Sequence, residues 1–356
     1  MNFDRVEKIA EAVLYEGYML YPYRPSSVKN QQRWNFGVLC PPSWSQHENG
    51  SDPWMMQTEC LVKAALDARL TVKVRFLQLV ERTIGRLRKP GQELPPHQTP
   101  EFDVIEHLEI SGRVYRPWQE AVEREQLSVA MSLDSLASQP AATLLFPAGQ
   151  EIEYLRDDHG VAIAVIVRRW QTLNGSVEFG VSPLSTAPNG EQVARVTVRV
   201  RNFTPFSPEP NGGREAALPF SLLSAHTILG VERGEFISLL DPEAEFESFA
   251  ADCKNIGTWP VLAGDGAEVI LSSPIILYDH PQIAEESAGN LFDSTEIDEI
   301  LSLRILTLSD EEKREMRQSD QRTREILERT EMMPQEQFMK LHGVLRGLTP
   351  FHEEAP

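Results

Sequence analysis

Seven residues near the start of the chain have the chemistry of a binding surface: Tyr18, Tyr21, Tyr23, Arg24, Lys29, Arg33 and Trp34. Aromatic rings offer flat stacking faces, and an arginine offers a rigid fork that matches carboxylate or phosphate. These seven sit inside the block Tyr15 to Pro42, which also holds Tyr15 and Phe36. Between Gly17 and His47 there is no Asp or Glu, although the chain carries 53 acids and a formal charge of −19. The cations of the block therefore have no neighbouring acid in sequence. Three readings stay open: rings that build the core of a β fold, a partner-facing surface rich in the residue types that anchor interfaces, or a pocket for an anionic or sugar-like molecule.

Other groups could do chemistry only if the fold assembled them. Cys253, His226 and His280, or Asp279 beside His280, are metal-ligating types, but no two of the eight histidines have the close spacing of a local ligand pair, so neither a metal nor another cofactor is expected. Cys40 follows Leu39 and Cys60 precedes Leu61, and both read as small apolar fillers. Arg195, Arg199 and Arg201, with Arg168 and Arg169, could meet an acidic partner or the protein's own acidic tail, or simply form a solvated strand face. No phosphate-cradling glycine loop, HExxH, CxxC or GxSxG elbow occurs. Catalytic residues are not identifiable, and a non-catalytic role is the expectation.

The 356-residue chain is long enough for one large domain or two ordinary ones, with 41% hydrophobic and 24% charged residues. A pI near 4.9 argues against nucleic acid and anionic membranes as partners and favours a basic one. No run of apolar residues reaches membrane-spanning length, and the N-terminus lacks the pattern of a signal peptide, so no membrane insertion is expected. Three separated cysteines suggest free thiols in a reducing compartment, hence a cytoplasmic location. Nothing in the sequence sets the oligomeric state.

The elements that must position these groups are mostly strands. Residues 3–16 predict an amphipathic helix with Val6, Ile9, Ala10, Val13 and Leu14 on one face. The prolines of the Tyr-rich block exclude a helix there; Arg33 to Leu39 reads as extended, and His47 to Met56 as a loop. From Thr71 the pattern alternates, with Val72, Val74 and Phe76 facing inward and Lys73 and Arg75 facing water. Further strands are expected between Val104 and Met131. Ile152–Arg156 and Val161–Trp170 should pair through Asp157–Gly160. A second hairpin is expected across Asn174-Gly175, a dipeptide suited to positive φ, and a third turn at Pro188-Asn189-Gly190. Two strands, His226–Val231 and Phe236–Leu240, precede a short helix near 243–251. Two more flank Gly264-Asp265-Gly266. After Pro281 the pattern becomes helical, with caps at Ser294 or Thr295 and at Ser309, and Pro334 opening a last helix.

These elements predict a β-dominated α+β fold: antiparallel sheets, as a sandwich or distorted barrel, with a helical C-terminal extension. Residues 1–285 form the β-rich body, with a division into two subdomains near 101–140 left open. Residues 286–356 form the extension, which is acidic and expected to be solvated and to project from the body.

The stretches LYEGYMLYPYRPSSVKNQQRWNFGVL, GTWPVLAG, LSSPIILYDHPQIA and NLFDSTEIDEILSLRILTLSDEEK carry a resemblance covering Tyr15 to about Thr330. Together they are similar to an uncharacterised bacterial family associated with operons for uptake, high-affinity nickel–iron hydrogenases. The resemblance implies an accessory or assembly role, with hydrogenase subunits or maturation factors as partners. It brings no catalytic residue with it. The alternative is an enzyme or small-ligand-binding protein using Tyr15–Phe36.

Overall fold

Residues Met55–Leu87 form a single strand, β1, which would reach ~110 Å if it stayed straight at ~3.3 Å per residue. It bends instead, with irregularities in its pairing between Ala64 and Arg69 and between Arg75 and Leu77. The structure is a computed structural model that describes residues 3–15, 34, 36–46, 52–95, 98–128, 130–138, 140–186, 191–209, 212–281 and 308–318, with 324, 327–328 and 331–332. Before β1 come helix α1 (Asp4–Tyr15) and the single turn α2 (Pro42–Ser45).

The strands that follow are β2 (Phe102–Ile105), β3 (Leu108–Ile110), β4 (Arg113–Tyr115), β5 (Trp118–Leu127) and β6 (Met131–Ser132), then α3 (Leu133–Ala137). Next are β7 (Ala142–Phe146), β8 (Gly149–Arg156), β9 (Ala162–Trp170), β10 (Leu173–Thr186) and β11 (Gln192–Asn202). Helix α4 (Arg214–Ala217) leads to β12 (Leu223–Ile237), α5 (Glu247–Ala251), β13 (Trp259–Leu262) and β14 (Val269–Ser273). Helix α6 spans Asp310–Gln318.

Among the described residues all pairings are antiparallel; β1 pairs with six strands, and β3 and β4 pair with each other in a separate two-stranded sheet. One flank of β1 takes β11 at Met55–Ala64, β6 at Arg69–Leu70, β5 at Lys73–Arg82 and β2 at Ile84–Leu87. The opposite flank takes β12 at Leu61–Leu77 and β9 at Glu81–Arg86. Strands β14 and β13 extend the sheet beyond β12, while β10 and β7 extend it beyond β11. The resulting 12-stranded sheet curls into a half-barrel. Partners of β1 lie within residues 101–140 (β2, β5 and β6) and after them (β9, β11 and β12).

Alternation along β1 explains the core. Met56, Cys60, Val62, Leu70, Val72, Val74 and Phe76 point inward, against Val196, Val198 and Val200 of β11 and Leu229 and Val231 of β12. Phe76 meets Phe146 edge-on at 5.4 Å. The other face is covered too. Leu77 and Leu79 lie under Trp34, Trp44 and Leu218, and Leu61 lies under Phe246 with Ile237. The expectation that Lys73 and Arg75 face open water is corrected at Lys73, which is buried. Its ammonium contacts Glu7 of α1 at 2.5 Å and Glu125 at 3.5 Å, while Arg75 pairs with Glu123 at 3.0 Å.

Helix α1 forms as its periodicity predicts. Val6, Ile9, Ala10 and Val13 pack on Ile228, Val269 and Leu271. The β8–β9 hairpin also forms, and its turn has a visible cause: the Asp157 carboxylate accepts from the backbone N–H of His159 and of Val161, each at 2.9 Å. The hairpin at Asn174-Gly175 does not form. Both residues lie within β10, where Asn174 faces Leu145 and Gly175 lies between Leu144 and Asn202. A Cβ on Gly175 would sit 2.3 Å from the Arg201 carbonyl oxygen, so glycine is required there by a close backbone approach. Strand β10 pairs with β11 as far as Thr186 and Gln192, and the expected turn at 188–190 lies outside the described residues.

Other boundaries shift. Gly37 takes a φ of +56° and Trp34 a φ of +63°, so neither continues the extended run expected from Arg33 to Leu39. The loop expected to end at Met56 gives way to β1 at Met55. The two strands expected in 226–240 are one, β12. The strand after Gly266 stops at Ser273, before Pro274. Helix α6 starts where Ser309 predicts, with the Lys313 N–H donating to the Ser309 carbonyl at 2.9 Å. It does not project: Met316 and Leu327 are buried, and α6 lies against β4. The helices expected from Ser294 and from Pro334 fall outside the described residues.

Candidate functional site

Of the seven block residues, Tyr18, Tyr21, Tyr23, Arg24, Lys29 and Arg33 lie outside the described residues. Trp34 is described, and it is a core residue. It packs with Leu14, Val38, Cys40, Trp44 and Leu77 at 3% exposure. Its left-handed backbone, unusual for a bulky residue, is held by Arg214, whose Nη2 donates to the Trp34 carbonyl at 2.6 Å. The same guanidinium grips Asp52 with both forks, at 2.9 and 3.0 Å. Of the three readings open for the block, the core reading holds at Trp34, and its placement as a partner- or ligand-binding residue is corrected.

The candidate metal ligands are separated by structural duties. His226 is wholly buried on β12, with Nδ1 3.0 Å from the Ser224 carbonyl. Burial holds its pKa down at about 4; the Ser224 carbonyl opposes this and the Arg75 charge adds to it. The imidazole is thus neutral at neutral pH. Asp279 accepts from the Ser238 hydroxyl and, at 2.8 Å, from the Leu262 N–H. His280 has Nδ1 3.1 Å from the Gly264 carbonyl. Among the described residues, no three His, Cys, Asp or Glu side chains are grouped to hold a metal ion. Burial raises the Cys40 thiol to about 11 and raises Cys60 and Cys253 as well, so none is a ready thiolate.

The arginine faces are largely answered from within. Arg201 pairs with Glu178 at 2.7 Å and lies over the Trp54 ring at 5.7 Å. Arg168 contacts Glu120 at 2.7 Å and Glu153 at 3.0 Å. Arg199 donates to the Gln57 amide oxygen, and Arg195 lies 3.9 Å from Asp252.

One polar cluster is invisible in sequence because three distant segments build it. Glu59, on the outer face of β1, is buried. Its carboxylate accepts from the Lys254 N–H at 2.8 Å, from Thr197 at 3.3 Å and from the Gln57 amide at 3.4 Å. Its backbone N–H donates to Asn255 Oδ1 at 2.8 Å, and its carbonyl accepts from Asn255 Nδ2 at 3.2 Å. Gln57 and Ile256 exchange backbone hydrogen bonds of 3.0 and 2.9 Å. Ile256, the Asn255 side chain and then Ile237 of β12 thus continue one ladder along β1, with an amide side chain standing in for a strand. This clasp brings the start of β13 back to the start of β1. Nearby, Thr58 donates to Ser272 at 2.7 Å and Thr258 lies 2.8 Å from the same hydroxyl, tying β1, β13 and β14 together inside the curl. All three partners of the Glu59 carboxylate belong to the scaffold, which suits a fastening rather than proton transfer.

Large apolar side chains stay outside at the β13 end of the sheet. Leu240, Ile256, Trp259, Ile276 and Tyr278 are exposed, the last two at 71% and 86%. No family model and no curated protein matches this chain.

Proposed function

We propose that this chain is a non-catalytic accessory or assembly protein of a nickel–iron hydrogenase system, acting through protein contacts in the cytoplasm. The observation that carries the non-catalytic part is the placement of its reactive groups. Glu59, His226, Asp279, Cys40 and Cys60 are each turned into the scaffold and held there, while tryptophan, tyrosine and leucine side chains face outward at one end of the sheet. An enzyme needs a reactive group that a substrate can reach; a partner-binding protein needs exposed anchors. The hydrogenase assignment rests on the resemblance carried by Tyr15 to Thr330. The reading of Tyr15–Phe36 as a small-ligand site is weakened at Trp34, whose ring is enclosed.

Affinity capture of the tagged full-length chain, from cells expressing the hydrogenase operon, tests the proposal. Recovery of hydrogenase subunits or maturation factors in stoichiometric amounts is the expected outcome. Repeated recovery of neither, with the operon expressed, refutes the assignment.

A further inference from the structure

The exposed apolar side chains at the β13 end stand on segments that Asp279 and His280 tie together. Asp279 fastens two chain segments there, accepting from Ser238 just after β12 and from Leu262 in β13. The His280 N–H adds a hydrogen bond of 2.7 Å to the Leu262 carbonyl. The chain from Ser238 through α5 and Ile256 to Leu262 therefore leaves Asp279 and returns to it. Leu240, Ile256 and Trp259 stand along that path. Ile276 and Tyr278 stand on the segment closing it, facing away from Ile275 and Leu277, which pack against the α1 cluster.

The edge itself is closed to strand addition. Ala263 pairs with Val269, so the antiparallel alternation turns the backbone groups of Leu262 and Pro260 outward. Asp279 and His280 occupy those of Leu262, and Pro260 has no N–H to offer. A partner must bind this end through side chains.

The charge beside these side chains selects the partner. Asp241, Glu243, Glu245 and Glu247 are exposed, and Asp241–Asp252 contains no Lys or Arg. A second copy of this chain would bring a like charge of −19. The chain's own C-terminal extension, with 17 acids and 9 bases from Glu285 onward, would also be repelled. We infer that the rim of Leu240, Ile256, Trp259, Ile276 and Tyr278 docks a basic segment of a partner protein, one that sets apolar side chains on the rings and Lys or Arg beside Asp241–Glu247. Aromatic anchors supply most of the affinity in such contacts, and the acids supply steering and selectivity. The inference deepens the accessory reading and rests on it for the existence of a protein partner.

Photocrosslinking of the full-length protein in its native host tests the surface. The photoreactive analogue p-benzoylphenylalanine replaces Tyr278 in one preparation and the exposed Val104, on β2, in another. Adducts are mapped by mass spectrometry. Position 278 should give an adduct to a partner segment of net positive charge. The reversal Glu243→Lys/Glu245→Lys/Glu247→Lys should lower its yield about tenfold, the scale expected for lost electrostatic complementarity. Glu101→Lys/Glu106→Lys/Glu109→Lys, with the same net charge but acids on and beside β2 and β3, should leave it within about twofold. Equal yields in the two triple variants, an adduct to a second copy or to residues 282–356, or adducts at position 104 alone would each overturn the inference. Capture of hydrogenase subunits without an adduct at 278 removes this surface and leaves the accessory role standing. A basic-segment adduct at 278 without such capture keeps the surface and removes the hydrogenase.

Discussion

Replacing His226 by Gln should flatten the acid side of the protein's stability curve. The folded protein holds His226 down at about 4, against about 6.5 in the unfolded chain, because protonation would place a charge inside the fold beside the Arg75 guanidinium. Between those values the unfolded chain binds the extra proton, so acidification favours unfolding. Stability is complete above about pH 6.5, is lost as pH falls toward 4, and loses no more from this group below that. At about 1.4 kcal/mol per pH unit the full loss is about 3 kcal/mol, of which about 2 kcal/mol is reached by pH 5. Many carboxylates titrate in the same range, so the informative quantity is a difference. Urea unfolding of the wild type and His226→Gln at pH 7.5, 6 and 5 should show the wild type losing about 2 kcal/mol more than the variant by pH 5. The His226 ring proton, followed by NMR, should keep the neutral imidazole's shift down to pH 5. Parallel stability curves, or a ring titrating near 6.5, would refute the reasoning.

Three further outcomes follow from the packing. Glu59→Ala strands the Lys254 N–H and the Thr197 hydroxyl in a buried setting, and should cost about 3 kcal/mol in urea unfolding, with faster amide exchange at Ile256. Gly175→Ala places a methyl group against the Arg201 carbonyl and should destabilise by about 2 kcal/mol or more. Gly180→Ala, whose nearest neighbour would be Thr197 Cβ at 3.5 Å, should stay within about 0.5 kcal/mol in the same assay. A thiol-reactive dye at pH 8 should label native protein slowly and at Cys253 first, since Cys40 and Cys60 are buried, and should label all three cysteines in guanidinium. Rapid labelling of Cys40 would contradict its place beside Ser221 and Trp34.

Sequence periodicity located what local interactions determine. Helix α1 shows its apolar stripe, and Asp157 to Gly160 announces the β8–β9 turn through a side chain that bonds its own backbone. Asn174-Gly175 misleads because the cause of Gly175 is 26 positions away, at the Arg201 carbonyl. The first half of β1 is hidden for a related reason. Glu59 to Arg69 is buried on both faces over much of its length, so alternation disappears, and Ala, Leu, Lys and Arg there are good helix formers. Trp34 belongs to a compositional anomaly that left core and surface both open; composition cannot report that Arg214 holds that backbone inward beside Asp52. The Glu59 clasp joins β1, β11 and residues 254–256 and carries no local pattern. The rim at β13 is legible only after Asp279 has brought its segments together.

A strand that pairs with six others has a consequence for synthesis. Met55–Leu87 leaves the ribosome well before Gln192–Asn202 and Leu223–Ile237, the two strands that sandwich its first half. At about 5–20 residues per second, the delay is on the order of 10 s. For that interval Cys60, Val62, Leu70, Val72 and Val74 belong to a nascent segment with unsatisfied backbone on both flanks. Such a segment recruits holding chaperones or neighbouring nascent chains. Yield in a foreign host should therefore respond more to translation speed across residues 88–237, and to chaperone supply, than to the stability of the finished protein.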